Sequence, residues 1–305
     1  MTARSLPWVR GIYIANLVAQ MAIVVTGAVV RITSSGLGCP TWPECVDGSI
    51  TPTSDQAQQW HKYIEFGNRL LTFVLLILAV AAVVAAIIDA RRRARAGLPR
   101  RNVLLALAFV PIAGTFAQAI LGGITVLTGL NPATVGSHFL LSMAIIAGCV
   151  ALVVRSADPG DQPIGWLAPR AIRALSWVLV AVSGAVVVLG VVVTGSGPHG
   201  GDATSPVRFP FDPRTVSWLH ADVVLLFIGL IIGLLVALYV AGGPAGALRR
   251  TWLLAAIAVA QGILGYSQYF TGLPIVLVGL HVTGSALVWV AALSIPPALR
   301  TRGSQ

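Results

Sequence analysis

The sequence predicts an all-α integral membrane protein with eight transmembrane helices arranged as two pseudo-symmetric four-helix bundles. Composition is the first reason: of 305 residues, 56% are hydrophobic and only 10% charged, a balance foreign to soluble domains of this size. Eight apolar stretches of about 20 residues, each long enough to cross a bilayer, are the second. The third is an internal repeat on the scale of half the chain. Barrel strands would be far shorter, and helices are the only other structure that satisfies backbone groups in hydrocarbon.

The stretches follow one another with polar or basic punctuation. The first, 11–31, follows Arg4 and Arg10 and lacks a cleavage site, so it reads as a retained span and not as a signal peptide. The second, 66–89, follows "HKYIEFGN" and runs into Arg91, Arg92, Arg93 and Arg95. The third, 102–127, lies between Arg100-Arg101 and Thr128-Gly129-Leu130; the fourth, 133–154, ends at Arg155. The fifth, 172–195, begins beside Arg170 and Arg173, and the sixth, 215–240, follows Arg208 and Arg214. The seventh, 251–271, follows Arg249-Arg250; the eighth, 275–297, precedes Arg300 and Arg302.

Net charge is +10, but its distribution argues against nucleic acid as a partner. Of the 20 basic residues, 15 fall on one side of the membrane, leaving Arg31, Lys62, Arg69, Arg208 and Arg214 for the other. The positive-inside rule then places both termini in the cytoplasm of a plasma-membrane protein. Cys39 and Cys45 fall in the first outer loop, where thiols are oxidised, so a disulfide is expected. No Cys or His cluster completes a metal site around them. Cys149, inside the fourth segment, reads as a small apolar residue.

Residues 117–138, "AQAILGGITVLTGLNPATVGSH", match 260–281, "AQGILGYSQYFTGLPIVLVGLH", at a constant offset of 143. Gln118, Gly122 and His138 fall on Gln261, Gly265 and His281. The first and fifth segments rhyme more loosely. Two halves follow, 1–160 and 161–305, in the same orientation because an even number of helices separates the repeats. The basic segment 155–173 links them.

Three of the five histidines, His138, His220 and His281, lie a few residues inside the fourth, sixth and eighth segments, with Asn68 at the matching place in the second. His220 and His281, at equal depth on alternate helices, suit the two axial positions of a haem. Gly229, Gly262, Gly265, Gly279 and Gly284 leave room for a porphyrin. Other metals want a third or fourth converging ligand.

At this point the sequence resembles the haem A synthase family, whose members oxidise a porphyrin methyl of haem O to the formyl group of haem A. The resemblance covers nearly the whole chain: "RITSSGLGCPTWPEC", the "IEF-x-x-R" segment opening the second span, and one histidine near the start of the fourth, sixth and eighth. It implies a haem b between His220 and His281 in the C-terminal half and a haem O substrate site in the N-terminal half. Glu65 matches a glutamate the family needs for activity, and His138 a ligand of the substrate iron. One departure is plain. Where the family commonly has Glu-x-x-His-Arg, this chain has Glu65-Phe66-Gly67-Asn68-Arg69, so the substrate iron is expected to be bound through His138 alone.

His61, Glu65 and Asn68 share one helical face at i, i+4, i+7. Glu65 is expected to face the porphyrin cavity, where a carboxylate accepts a proton or stabilises positive charge. Arg31, Arg69, Arg208 and Arg214 are expected to meet haem propionates or anchor at the interface. Expected partners are haem O, membrane lipid, a haem O synthase and an electron acceptor that no motif identifies. Two rival readings have signatures of their own. An electron-carrying di-haem cytochrome b would show a histidine pair in each half. A transporter would show helices broken at mid-depth.

Overall fold

The computed structural model describes residues 5–202 and 206–302; Arg4 lies outside the described residues. The helices are α1 (Pro7–Ile32), α2 (His61–Arg95), α3 (Asn102–Ala108), α4 (Val110–Leu127), α5 (Pro132–Ser156), α6 (Arg170–Ser196), α7 (Pro213–Val240), α8 (Ala245–Phe270), α9 (Ile275–Leu293) and α10 (Ile295–Ala298). With α3–α4 and α9–α10 taken as single spans, eight are long and apolar enough to cross a membrane. The chain is a multi-pass membrane protein.

The helices begin and end where local chemistry dictates. Proline stands in the first turn of α1, α5 and α7, where its missing N–H costs nothing. The side chains of Asn131 and Asp212 cap α5 and α7 by accepting from the backbone N–H of Ala133 and Thr215. The third span, expected to be continuous, is interrupted at Phe109 because Pro111 removes a ladder hydrogen bond and crowds the turn before it. A similar interruption at Ser294 precedes Pro296. Hydropathy also set the second span too short: α2 begins at His61 and continues to Arg95, because helical hydrogen bonding outlasts the apolar run. An antiparallel pairing of β1 (Ile164–Trp166) with β2 (Arg300–Arg302), which no sequence pattern signals, ties the linker to the tail.

The repeat is visible in burial. Val9, Tyr13, Asn16, Gln20 and Val24 are buried on α1, and the five residues 163 positions later, Ile172, Ser176, Leu179, Ser183 and Val187, are buried on α6. Leu75, Ala79, Ala82 and Ala86 on α2 likewise match Phe227, Ile231, Leu234 and Leu238 on α7 at an offset of 152. The Thr-Gly-Leu turns repeat in conformation too, with φ of 60° and 57° at Gly129-Leu130 and 80° and 61° at Gly272-Leu273. In the first half α1 packs on α2, α2 on α4, α4 on α5 and α5 on α1; in the second, α6 on α7, α7 on α8, α8 on α9 and α9 on α6. Contacts of α1 with α9, α5 with α6 and α5 with α9 join the halves.

Each half has its own apolar core, around Tyr13, Ala82, Ala108 and Leu152 in one and Leu179, Phe227, Leu234, Leu254 and Ala292 in the other. A third cluster, with Val24, Met143, Ile146, Val187 and Ala286, seals the junction. The cores of the halves lie toward the end where the basic residues gather. There Asp89 pairs with Arg92 and Arg101, and Asp158 with Arg155, Arg300 and Arg302.

At the opposite end a disulfide joins Cys39 and Cys45. The loop carrying it reaches across the halves, the Gly36 N–H donating to the Gly201 carbonyl at 3.0 Å. Trp42 lies so close to Gly123 of α4 that a β-carbon there would come within 2.5 Å of the indole. Gly38 is pressed against the first turn of α2, where a β-carbon would stand 2.4 Å from the His61 carbonyl oxygen. That neighbour is backbone and cannot swing aside. Gly38→Ala should therefore cost about 1–3 kcal/mol and lower the midpoint of thermal unfolding in detergent. Gly11→Ala, on α1 with nothing within 4 Å, should leave the midpoint unchanged or raise it.

Candidate functional site

Four positions lie at nearly one depth below the disulfide end. His138 and His281 are the seventh residues of α5 and α9; Asn68 and His220 are the eighth of α2 and α7. With 1.5 Å per residue, each stands about 10 Å into its helix. The neighbour pattern puts α2 diagonally across from α5, and α7 across from α9. Each half thus carries two of these positions on diagonally opposed helices.

Each histidine leans on a glycine of the preceding long helix. β-Carbons at Gly122, Gly190 and Gly265 would stand 3.3, 3.4 and 3.2 Å from Cε1 of His138, His220 and His281. A side chain at Gly122 or Gly265 would push its imidazole back by a few tenths of an ångström, and one at Gly190 would just touch it. Nδ1 is buried against the glycine in all three rings and makes no hydrogen bond. The residues as a whole are only half-buried, and no hydrogen bond joins Nε2 of any of them to a described residue. His220 and His281 are near enough to interact electrostatically.

The other two histidines differ. His61 Nδ1 lies 2.9 Å from Ser35 Oγ, and its ring stacks on Trp60. His199 Nε2 lies 3.0 Å from the Leu273 carbonyl. Both tie loops together.

The expected glycine spaces hold in part. Gly229 and Gly262 have nothing within 4 Å of a β-carbon position, and Gly265 seats His281. Gly279 faces Ile32, and Gly284 gives no room because Gln261 fills the space beside it. Gly190 escaped the sequence reading, although its rhyme with Gly27 was the available signal. Among the described residues no group of three or more His, Cys, Asp or Glu converges on one point, so a bare ion lacks a coordination shell. Paired imidazoles with free Nε2, beside open glycine faces, do fit a metal that arrives in its own macrocycle.

The polar stripe on α2 faces α1 and the cystine loop. Glu65 is buried; its Oε2 accepts from the Cys39 N–H at 2.7 Å, and its Oε1 pairs with Arg69 at 2.7 Å. Arg69 donates in addition to the carbonyls of Cys39, Thr41 and Glu44, so its charge is spent on the loop. Buried Lys62 donates to the carbonyls of Thr53 and Ser54. Asn68 Oδ1 accepts from Thr26 Oγ1 at 2.7 Å. Arg31 spans the halves, donating to the carbonyls of Thr194 and His199. Arg208 and Arg214 are exposed at the disulfide end, Arg214 over the Trp218 ring.

The sequence model of the COX15-CtaA family, described as cytochrome oxidase assembly protein, matches residues 10–293. The chain belongs to that family. A heme A synthase of Geobacillus kaustophilus is 29% identical over 158 residues, covering 50% of this chain and 46% of the relative. A heme A synthase of Lysinibacillus sphaericus is 30% identical over 177 residues, covering 56% and 52%. A protoheme IX farnesyltransferase of Chloroflexus aurantiacus is 31% identical over 192 residues, covering 60% of this chain and 30% of the relative. The chain spans about half the length of the heme A synthases it matches. Within this COX15-CtaA chain, the interruptions at Phe109 and Ser294 lie toward the basic end and not at the depth of the histidines, which weakens the transporter reading.

As a test of the haem expected between His220 and His281, His220→Ala and His281→Ala should each abolish a low-spin b-type absorption spectrum of the purified protein, whereas His61→Ala and His199→Ala should leave it intact. A low-spin spectrum surviving in both of the first two variants would remove the assignment.

Proposed function

We propose that this protein is a haem A synthase, oxidising a porphyrin methyl group of haem O to the formyl group of haem A for a cytochrome oxidase. The carrying observation is three glycine-seated imidazoles at one depth, each with Nε2 unpartnered among the described residues, in a chain of the COX15-CtaA family. In this reading residues 161–305 hold haem b between His220 and His281, and residues 1–160 hold the substrate haem O through His138. Haem b when bound supplies one-electron transfer. A pure electron carrier has less support, because Asn68 leaves the first half without a histidine pair.

The residues of the first half divide the remaining work. Gly122 fixes the His138 ring, and Gln118 Nε2 donates to the His138 carbonyl at 2.9 Å and to Ser142 Oγ at 2.6 Å, holding that turn of α5 in place. Glu65 and Arg69 hold the cystine loop across the disulfide end, which keeps water from the cavity. A carboxylate has about four acceptor sites, and Glu65 uses three on Cys39 and Arg69, leaving capacity to take a proton as the methyl is oxidised. Arg208 and Arg214 stand ready for propionates at the disulfide end. We place that end outside the cell and the basic end in the cytoplasm, as the charge asymmetry demands. Haem O is apolar, so delivery through the bilayer from a haem O synthase fits; a relative named protoheme IX farnesyltransferase supports such a pairing.

Chromatography of haems extracted from cells tests the proposal. Deleting the gene should remove haem A and leave haem O; haem A at the wild-type level would refute the activity. Glu65→Gln keeps shape and loses charge, so it should retain haem b yet accumulate haem O or a hydroxylated intermediate. Unchanged haem A output would limit Glu65 to holding the loop.

A further inference from the structure

The internal repeat supplies four seats, and only three are filled. Burial aligns α1 with α6 at an offset of 163 and α2 with α7 at 152, which places Gly27 on Gly190 and Asn68 on His220. At Gly190 the imidazole of His220 stands 3.4 Å from a β-carbon position; at Gly27 nothing lies within 4 Å. Asn68 is shorter than histidine and turns aside, its Oδ1 taking the hydroxyl hydrogen of Thr26 at 2.7 Å. Its Nδ2 makes no hydrogen bond to a described residue. A helix face bearing a small residue, an open volume and an unused amide donor thus lies diagonally across the first half from His138.

We propose that Gly27, Thr26 and Asn68 form a binding pocket for a diatomic-sized ligand carrying a hydrogen-bond acceptor, on the face of the substrate haem opposite His138. Asn68 Nδ2 is the donor that holds it. This inference rests on the reading of the first half as a haem site and goes beyond it: the second half, with both seats filled, has no such pocket. Thr26 Oγ1 lies 2.7 Å from Asn68 Oδ1 and 3.2 Å from the Ile23 carbonyl, so its single hydrogen serves the closer amide oxygen and leaves Nδ2 free. Polarity and donors beside an open haem face decide what small ligand it accepts.

Carbon monoxide is the probe. The full-length protein, loaded with haem in both halves and reduced, should bind one carbon monoxide per chain. Asn68→His refills the fourth seat: it should convert that haem to low spin and weaken carbon monoxide binding by about tenfold or more. Asn68→Leu should retain binding but move the C–O stretch to higher frequency as the donor is lost. Equal affinity in wild type and Asn68→His, or no binding to a wild-type chain that holds two haems, would overturn the pocket. An unchanged stretch in Asn68→Leu would overturn the donor. If only the haem that depends on His220 and His281 can be loaded, the substrate-site reading fails, and the pocket with it.

Discussion

A polar group in hydrocarbon must find its partner inside the protein, and most of the architecture here follows from which groups do. At the disulfide end Glu65, Arg69, Lys62, Arg31, His61 and His199 are matched with backbone carbonyls, an N–H group, a serine hydroxyl or one another. At the basic end aspartates answer arginines. Between them, the imidazoles of His138, His220 and His281 bury Nδ1 with no partner among the described residues. The haem of the proposed function would use the other nitrogen, Nε2, and leave Nδ1 against its glycine.

The glycine seats explain how the three rings are held without hydrogen bonds. An imidazole wedged on bare helix backbone is fixed by contact alone, with Nδ1 shut in and Nε2 turned out. The cost of burying Nδ1 without an acceptor is offset elsewhere, by apolar cores concentrated toward the opposite end of each half. The packed ends give rigidity, and the looser ends leave space.

Much of this was legible in the sequence, for identifiable reasons. Span number followed from apolar length, and the repeat from polar landmarks held in register. Depth of the histidines followed from counting along helices. What could not be read was orientation. The stripe His61, Glu65, Asn68 was correctly placed on one helical face, yet its partners, Ser35, Cys39 and Thr26, come from segments whose docking no local pattern encodes. The role of Gly190 was missed because its partner lies 30 residues later across an irregular loop, whereas Gly122 and Gly265 each sit 16 residues before their histidines. The β1–β2 pairing was invisible because strands of three residues are too short for a period-two pattern to stand out.

The central claim is that the free Nε2 atoms of His220 and His281 form one axial pair. An electron cryomicroscopy map of the haem-bearing protein tests it most directly. The account predicts a flat porphyrin between α7 and α9, its iron bonded to both Nε2 atoms, with each ring still resting on Gly190 or Gly265. Density for the macrocycle elsewhere in the second half, or iron bonded through Nδ1 with the rings lifted off their glycines, would contradict it.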